Sequence, residues 1–305
     1  MGPSFGAYIA AVVDDVRIPG HGEQLAAYVY RPGATADAPC VVMGHGFTGT
    51  REDGLPGYAE AFRDAGFVVI VFDYRHFGAS SGEPRQLLDI DKQLEDWRNA
   101  VAYARTLDGV DPDRVVVWGT SFGGGHTIIT AAGDKRIAAA ISQCPFTDGF
   151  ASAFAIPPVS SVKVTALAVL DAIGARLGRP PVTVPSYGPP GSVSLMSSPD
   201  SVAGITALIP EGQHVPKDVA ARFGLEIIRH FPGRQARNVS CPIFFAICEN
   251  DSVAPAKPTQ KYAAEAPRGE IKLYDAGHFD IYVGEDFERN VTDQLDVLAR
   301  HVPVA

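Results

Sequence analysis

Residues 114–129 read RVVVWGTSFGGGHTII. The run from Arg114 to Trp118 is short, unalternated and rich in β-branched side chains, which predicts a buried strand. Gly119-Thr120-Ser121-Phe122-Gly123 follows at once, and Gly124 to Ile129 begins a helix. A serine at the tip of a strand–turn–helix junction has the makings of a nucleophile elbow, and the flanking glycines remove Cβ atoms where strand and helix must approach. The bare G-x-S-x-G pattern occurs twice more, at Gly2–Gly6 and Gly78–Gly82. The first has no strand before it. The second follows the loop-like Asp73-Tyr74-Arg75-His76-Phe77 and soon meets Pro84, so it reads as a turn.

Outward from the serine turn, short apolar runs alternate with helical stretches between residues 40 and 145. The runs Val41–Met43, Phe67–Phe72, Val115–Trp118 and Ile137–Ile141 predict strands, and Leu55–Ala65, Asp89–Leu107 and Phe122–Ala132 predict helices. Unalternated strands between helices imply a parallel sheet covered on both faces. In the second helix Leu94, Trp97, Val101 and Ala104 share one stripe at helical spacing. Val12–Ile18 and Leu25–Arg31, joined through Gly20-His21-Gly22, predict an antiparallel hairpin at the sheet edge. The rhythm stops after Pro145. Residues 146–238 are rich in Pro, Gly and Ser, with helical pieces predicted near Val162–Leu177 and Pro216–His230. It resumes with a strand at Pro242–Cys248, a helix near Lys257–Ala266, a strand at Glu270–Tyr274 and a last helix near Glu285–His301. The expected organisation is an α/β core of residues 1–145 and 239–305, with 146–238 as an inserted cap over the carboxyl ends of the strands.

With this serine turn in this context the chain resembles an α/β-hydrolase over nearly its whole length except the insertion. The resemblance implies a mostly parallel central sheet with helices on both faces, and the chain order nucleophile, acid, histidine. Ser121 is then the nucleophile. His278, in Ala276-Gly277-His278-Phe279-Asp280 after the last strand, is the expected base. Asp251, in the loop after Ile243–Cys248, is the favoured acid, with Asp148 after the preceding strand as the competitor. Glu249 is too close to the strand body, and Asp275 so near His278 that it shapes the loop. Of the eight histidines, His21 and His301 read as surface residues, His126 points away from the helix tip, and His214 and His230 lie in the cap without a partner motif. A serine hydroxyl is a weak nucleophile until an imidazole takes its proton, and the imidazole needs a carboxylate to fix its tautomer and stabilise its cation. Serine at the tip disfavours the dehalogenase and epoxide hydrolase branches, which attack through aspartate.

Residues 44–49, Gly-His-Gly-Phe-Thr-Gly, match the G-x-G-x-x-G spacing of a dinucleotide-binding turn, and Asp73 ends the next strand. That reading needs a helix to start at the turn, so that its N-terminus faces pyrophosphate. Here Arg51-Glu52-Asp53-Gly54-Leu55-Pro56-Gly57 delays the helix, with Pro56 in its first turn. The stretch resembles instead the family's His-Gly-x oxyanion loop. The implied donors to the oxyanion are the backbone N–H groups of Phe47 and Phe122. Asp73-Tyr74-Arg75-x-x-Gly78-x-Ser80 is similar to a loop of the dienelactone hydrolase and X-prolyl dipeptidyl-peptidase type. There Asp73 would order the loop through backbone hydrogen bonds or a pair with Arg75.

The bulk composition describes a soluble globular protein. The 305 residues are 46% apolar and 20% charged, with a net charge of −9, which excludes a nucleic-acid partner because phosphate binding needs a basic face. The N-terminus lacks the basic residues of a secretory signal and the myristoylation pattern. No run is long enough to span a membrane; Val164–Ile173 is broken by Thr165 and Asp171. Cys40, Cys144, Cys241 and Cys248 show no metal-binding spacing and read as buried reduced thiols, so the expected location is cytoplasmic. Neither cofactor nor metal is expected, and a homodimer stays open.

The expected function is cleavage of a carboxylic ester or thioester through an acyl-enzyme, on a small-molecule substrate whose apolar part is selected by the cap. Alanine, valine, leucine and proline in residues 151–185 suit an apolar lining or the cap's own core. An X-prolyl-type peptidase, lactonase, C–C hydrolase, perhydrolase or acyltransferase would use the same triad. A non-catalytic binding protein on this fold is the alternative from another class.

Overall fold

Where valine and isoleucine dominate, the chain is extended and buried on both faces, and those runs set the architecture. The computed structural model describes residues 13–33, 37–153, 158–213 and 215–304. In chain order it contains β1 (Val13–Gly20), β2 (Glu23–Tyr30), β3 (Ala38–Gly44), α1 (Pro56–Asp64), β4 (Val68–Phe72), α2 (Ile90–Ala104), β5 (Val110–Thr120), α3 (Phe122–Gly133) and β6 (Ala139–Gln143). The insertion carries α4 (Gly149–Ala153), α5 (Pro158–Arg176), β7 (Thr183–Pro185), α6 (Ser201–Leu208), β8 (Asp218–Ala220) and α7 (Phe223–Ile227). The chain closes with β9 (Ile243–Cys248), α8 (Ala256–Ala263), β10 (Gly269–Tyr274) and α9 (Gly284–His301).

Among the described residues eight strands form one sheet in the order β1-β2-β4-β3-β5-β6-β9-β10. The β1–β2 hairpin lies at one edge as predicted, antiparallel within itself and to β4; the other pairings are parallel. Every residue of β3, β4, β6 and β9 is buried. The alternation of side chains splits the core into two layers. Val42, Ile70 and Val117 face Trp97, Val101 and Ala104 of α2 and Ile128 of α3, while Val41, Val69 and Val116 face Tyr58 and Phe62 of α1 and Leu298 of α9. The predicted stripe on α2 is therefore its buried face, with Leu94 only half-buried at its margin. Asp89 caps α2 by accepting a hydrogen bond from Lys92 N.

In the second layer a buried polar network ties α9 to the carboxyl ends of the strands. Gln143 Oε1 accepts from Asn290 Nδ2 at 2.6 Å and Gln294 Nε2 at 2.9 Å, and Trp118 Nε1 donates to Gln294 Oε1 at 2.7 Å. Tyr58 OH donates to Ile281 O at 2.6 Å, which steadies the loop after His278. All four cysteines are buried and unpaired.

The insertion departs from expectation at α6, a helix that was not expected, and at residues 216–230. Pro216–His230 is not one helix: Asp218–Ala220 pairs with β7, and only Phe223–Ile227 is helical. The cause is Asp171, the acid inside the apolar run of α5. Its carboxylate accepts from Arg222 Nε at 2.7 Å, Arg222 NH2 at 3.0 Å, Arg222 N at 2.8 Å and Val182 N at 2.8 Å. That clasp fixes β7 and the start of α7 against α5, and a tertiary contact of this kind overrides helical propensity. Val12 and His214, and the Gly2–Gly6 motif, lie outside the described residues.

Candidate active site

Ser121 sits between β5 and α3 with φ 55° and ψ −119°, a conformation in which a non-glycine residue is held only by its surroundings. Ser121 N donates to Gln143 O at 2.9 Å, and Ser121 O accepts from Phe146 N at 2.9 Å and Gly125 N at 3.2 Å. The glycines on either side are needed for space. A Cβ on Gly119 would lie 2.2 Å from Gly123 O, and one on Gly123 would lie 2.4 Å from His45 O.

The three side chains expected at the site are in contact. His278 Nε2 is 3.0 Å from Ser121 Oγ, and His278 Nδ1 is 2.6 Å from Asp251 Oδ2. The side chains of His278 and Asp251 are 3% and 1% exposed. Asp251 Oδ1 accepts from Val253 N at 2.8 Å and Ala254 N at 2.6 Å, which leaves Oδ2 turned toward the imidazole. Asp148 does not take part: its Oδ1 accepts from Phe150 N and Ala151 N at the start of α4, and its Oδ2 from Tyr262 OH. Asp275 accepts from Asn250 Nδ2 instead of touching His278.

The loop His45-Gly46-Phe47 abuts the serine from the other side. A Cβ built on Gly46 would lie 3.0 Å from Ser121 Cβ and 3.5 Å from Ser121 Oγ. Phe122 opens α3, so its N–H is one that the helix does not consume. The loop is braced from below: Trp97 Nε1 donates to Tyr74 OH at 2.9 Å, and Tyr74 OH donates to His45 O. Burial pushes the His45 imidazole down to about 4, so it is neutral near pH 7.

Asp73 orders its loop through backbone hydrogen bonds, from Arg51 N at 2.7 Å and Ala79 N at 2.9 Å. Its charged neighbour is Arg51, Nε to Oδ2 at 3.7 Å. Of the two expected arrangements the backbone one is present and the pair with Arg75 is not: the Arg75 guanidinium binds Asp96 and Glu95, because α2 brings those carboxylates against it. Asp73 thus ties the loop after β3 to the loop after β4. Ser80, in the second G-x-S-x-G match, accepts from Ala26 N and donates to Asp73 O, both structural roles. His126 is buried with Nε2 3.0 Å from Gln93 Oε1, His230 stacks on Phe146, and His21 is exposed beside Glu95.

Two cavities meet at Ser121. The larger, about 130 Å³, extends under the insertion between Phe122, Phe146, Val164, Leu195 and Ile227. The smaller, about 70 Å³, runs along His45, Asp53, Ser186, Tyr187 and His278. Phe47, Ser121 and Met196 border both. The 151–185 segment does reach the larger cavity, through Ser152, Ala153, Ser161, Val164 and Thr165, a more hydroxylated set than its composition implied. Asp200 is a residue that sequence reading missed. It accepts from Ser252 Oγ at 2.7 Å and from Ser198 Oγ at 2.7 Å, joining the start of α6 to the loop that carries Asp251.

Comparisons with known proteins agree with this architecture. Residues 36–285 match the family model described as serine aminopeptidase, S33. The chain is 53% identical over 290 residues to the quorum-quenching protein AidA of Acinetobacter baumannii, covering 95% of each chain. It is 30% identical to the thiohydrolase aneE of Aspergillus aculeatus, covering 87% of each. The crystal structure of the α/β-hydrolase GrgF from Penicillium sp. sh18 superposes with a TM-score of 0.80 at 25% identity, over 95% of this chain and 99% of that one. The match does not extend to the finer branch suggested by the loop at Asp73–Ser80. By the extent of the family match and the strand order around Ser121, the chain belongs to the α/β-hydrolase family of the serine aminopeptidase, S33, type.

Proposed function

We propose that the protein is a serine hydrolase that cleaves a carboxylic ester or thioester through an acyl-enzyme on Ser121. The observation that carries the reading is the hydrogen-bonded line from Asp251 through His278 to Ser121 at the junction of two cavities. Ser121 Oγ attacks the carbonyl carbon as its proton passes to His278 Nε2, and the imidazolium is stabilised by Asp251. The developing oxyanion is met by the N–H groups of Phe122 and Phe47, preorganised donors of a kind each worth about 3–4 kcal/mol of barrier. His278 then returns the proton to the departing oxygen or sulfur. Water, activated by the same imidazole, resolves the acyl-enzyme.

The acyl portion lies in the larger, apolar cavity under residues 146–238, which act as a cap, and the chemistry needs neither metal nor cofactor. The thiohydrolase and the quorum-quenching protein among the relatives are in keeping with this chemistry. A lactone is an ester closed on itself and falls within the same mechanism.

Labelling with a fluorophosphonate, followed by mass spectrometry, tests the nucleophile. One adduct on Ser121 is expected, with none on the Ser121→Ala protein. That variant should keep its fold and lose roughly 10⁴-fold or more of its turnover on an ester and thioester chain-length panel. A folded wild-type protein that forms no adduct and cleaves no member of the panel would sink the reading in favour of a binding protein.

A further inference from the structure

The two cavities differ in which of them His278 borders. It lines the smaller one and not the larger. The imidazole must hand its proton to the leaving atom and later take one from whatever resolves the acyl-enzyme, so both groups stand on its side of Ser121. If Ser121 forms an acyl-enzyme, the reading on which this inference rests, the smaller cavity holds the alcohol, thiol or amine half of the substrate.

That cavity is chemically marked. His45, Asp53 and Ser186 all line it, and each has a buried side-chain atom with no hydrogen-bond partner: His45 Nε2, Asp53 Oδ1 and Ser186 Oγ. His45 and Ser186 are each 1% exposed. Buried polar atoms are hydrogen-bonded in the great majority of cases, so three orphans on one cavity point to an absent ligand. Their polarity is also determined. His45 Nδ1 lies 2.9 Å from Gly46 O, an atom that only accepts, so Nδ1 carries the proton and Nε2 offers a lone pair. Asp53 uses Oδ2 on Thr50 N and Thr50 Oγ1, leaving Oδ1 as a second acceptor. The Ser186 hydroxyl can serve either way. The larger cavity, among its described residues, has one such orphan, Ser197 Oγ.

We propose that the smaller cavity is the leaving-group and acceptor subsite, and that it selects an alcohol, thiol or amine bearing a second O–H or N–H. In the resolving step the acceptor's reacting atom bonds to the acyl carbon and its proton passes to His278 Nε2. The bond from the acyl carbon to Ser121 Oγ breaks, and Oγ takes that proton from the imidazole. Water satisfies this step, giving hydrolysis. An acceptor with an extra donor that engages His45 Nε2, Asp53 Oδ1 and Ser186 Oγ outcompetes water and receives the acyl group.

The test uses the full chain turning over p-nitrophenyl butyrate with equal concentrations of ethylene glycol or 2-methoxyethanol, which differ by a capped donor. The glycol ester should form roughly tenfold faster than the methoxyethyl ester, the usual size of one hydrogen bond to an otherwise unpaired buried group. Ser186→Ala, which deletes an atom with no protein partner, should pull that ratio toward one. Release of p-nitrophenolate with equal transfer to both alcohols, or a ratio indifferent to Ser186→Ala, overturns the subsite and leaves the hydrolase reading standing. No release and no fluorophosphonate adduct overturns both.

Discussion

In β3, β4, β6 and β9 every residue is buried, whereas on α5 of the insertion Val162, Leu170 and Ile173 are 70%, 58% and 50% exposed. The core is held by a continuous hydrogen-bonded sheet packed on both faces, a redundant arrangement in which no single contact decides the fold. Among its described residues the insertion has one long helix, α5, with a three-residue strand pair and shorter helices held to it by the buried Asp171 carboxylate. Ser121, His278 and Asp251 all stand on loops leaving core strands, while much of the wall that a substrate would touch belongs to the insertion. The candidate triad thus stands on the sheet and much of the candidate pocket wall on the insertion, the usual division between a scaffold and its variable loops.

The largest expected effect breaks the core side of this comparison. Asp251→Asn removes the acceptor that fixes the His278 tautomer, and kcat should fall by roughly 10³–10⁴ with the thermal midpoint little changed. Asp148→Asn, a change at a carboxylate occupied with α4 and Tyr262, should alter kcat by less than about threefold. Steady-state kinetics on one ester decides between them, and the reverse ranking would reassign the acid.

The insertion side is broken by Asp171→Ala. Four hydrogen bonds are lost and the Arg222 guanidinium is left without its partner. Removing one member of such a pair commonly costs about 3–5 kcal/mol, and with Arg222 one-fifth exposed the lower end is expected. If the insertion selects and the core reacts, KM rises several-fold, proteolytic cleavage within residues 146–238 accelerates, and kcat at saturation stays within about threefold. A fall in kcat that tracks a fall in the whole protein's thermal midpoint would show instead that the two regions unfold as one.

The same contrast governs what could be read from the sequence. Ser121 and Asp251 were legible because each follows an unalternated apolar run, and His278 because it lies in a glycine-containing loop after the last strand, so a linear pattern fixed both the strand and the loop beyond it. The expected Pro216–His230 helix failed because Val219 pairs with Val184 and Arg222 with Asp171, contacts between segments far apart in the chain. Asp200, Asp53 and Ser186 carried no local signal for the same reason. A carboxylate in a Ser-Ser-Pro-Asp stretch announces a helix start, not a hydrogen bond to Ser252. Sequence proximity offered Asp73 as one partner for Arg75, whose carboxylates lie one helix later, at Glu95 and Asp96.

The smallest expected effect sharpens the comparison where the two regions meet, since Asp53 belongs to the core and Ser186 to the insertion. Burial pushes the Asp53 carboxyl up to about 6, with the nearby charges of Asp73 and Glu52 adding to the rise and the hydrogen bonds from Thr50 opposing it. His45, on the same cavity, is neutral throughout this range because burial holds it near 4. The folded chain therefore binds a proton at Asp53 more tightly than the unfolded chain does. From the ordinary carboxylate range near 4 up to about 6, the group's contribution to stability falls as pH rises, and it is constant above. Selection runs the other way. Above pH 6 Asp53 Oδ1 accepts, and ethylene glycol keeps its advantage over 2-methoxyethanol. Below pH 6 the protonated carboxyl offers an O–H that a hydroxyl and an ether oxygen accept alike, so the ratio should drop by a few-fold. Both alcohols react with the same acyl-enzyme on Ser121, so the ratio reports only the difference between them. A ratio flat between pH 5 and 8 would remove Asp53 from the recognition and leave it to His45 and Ser186.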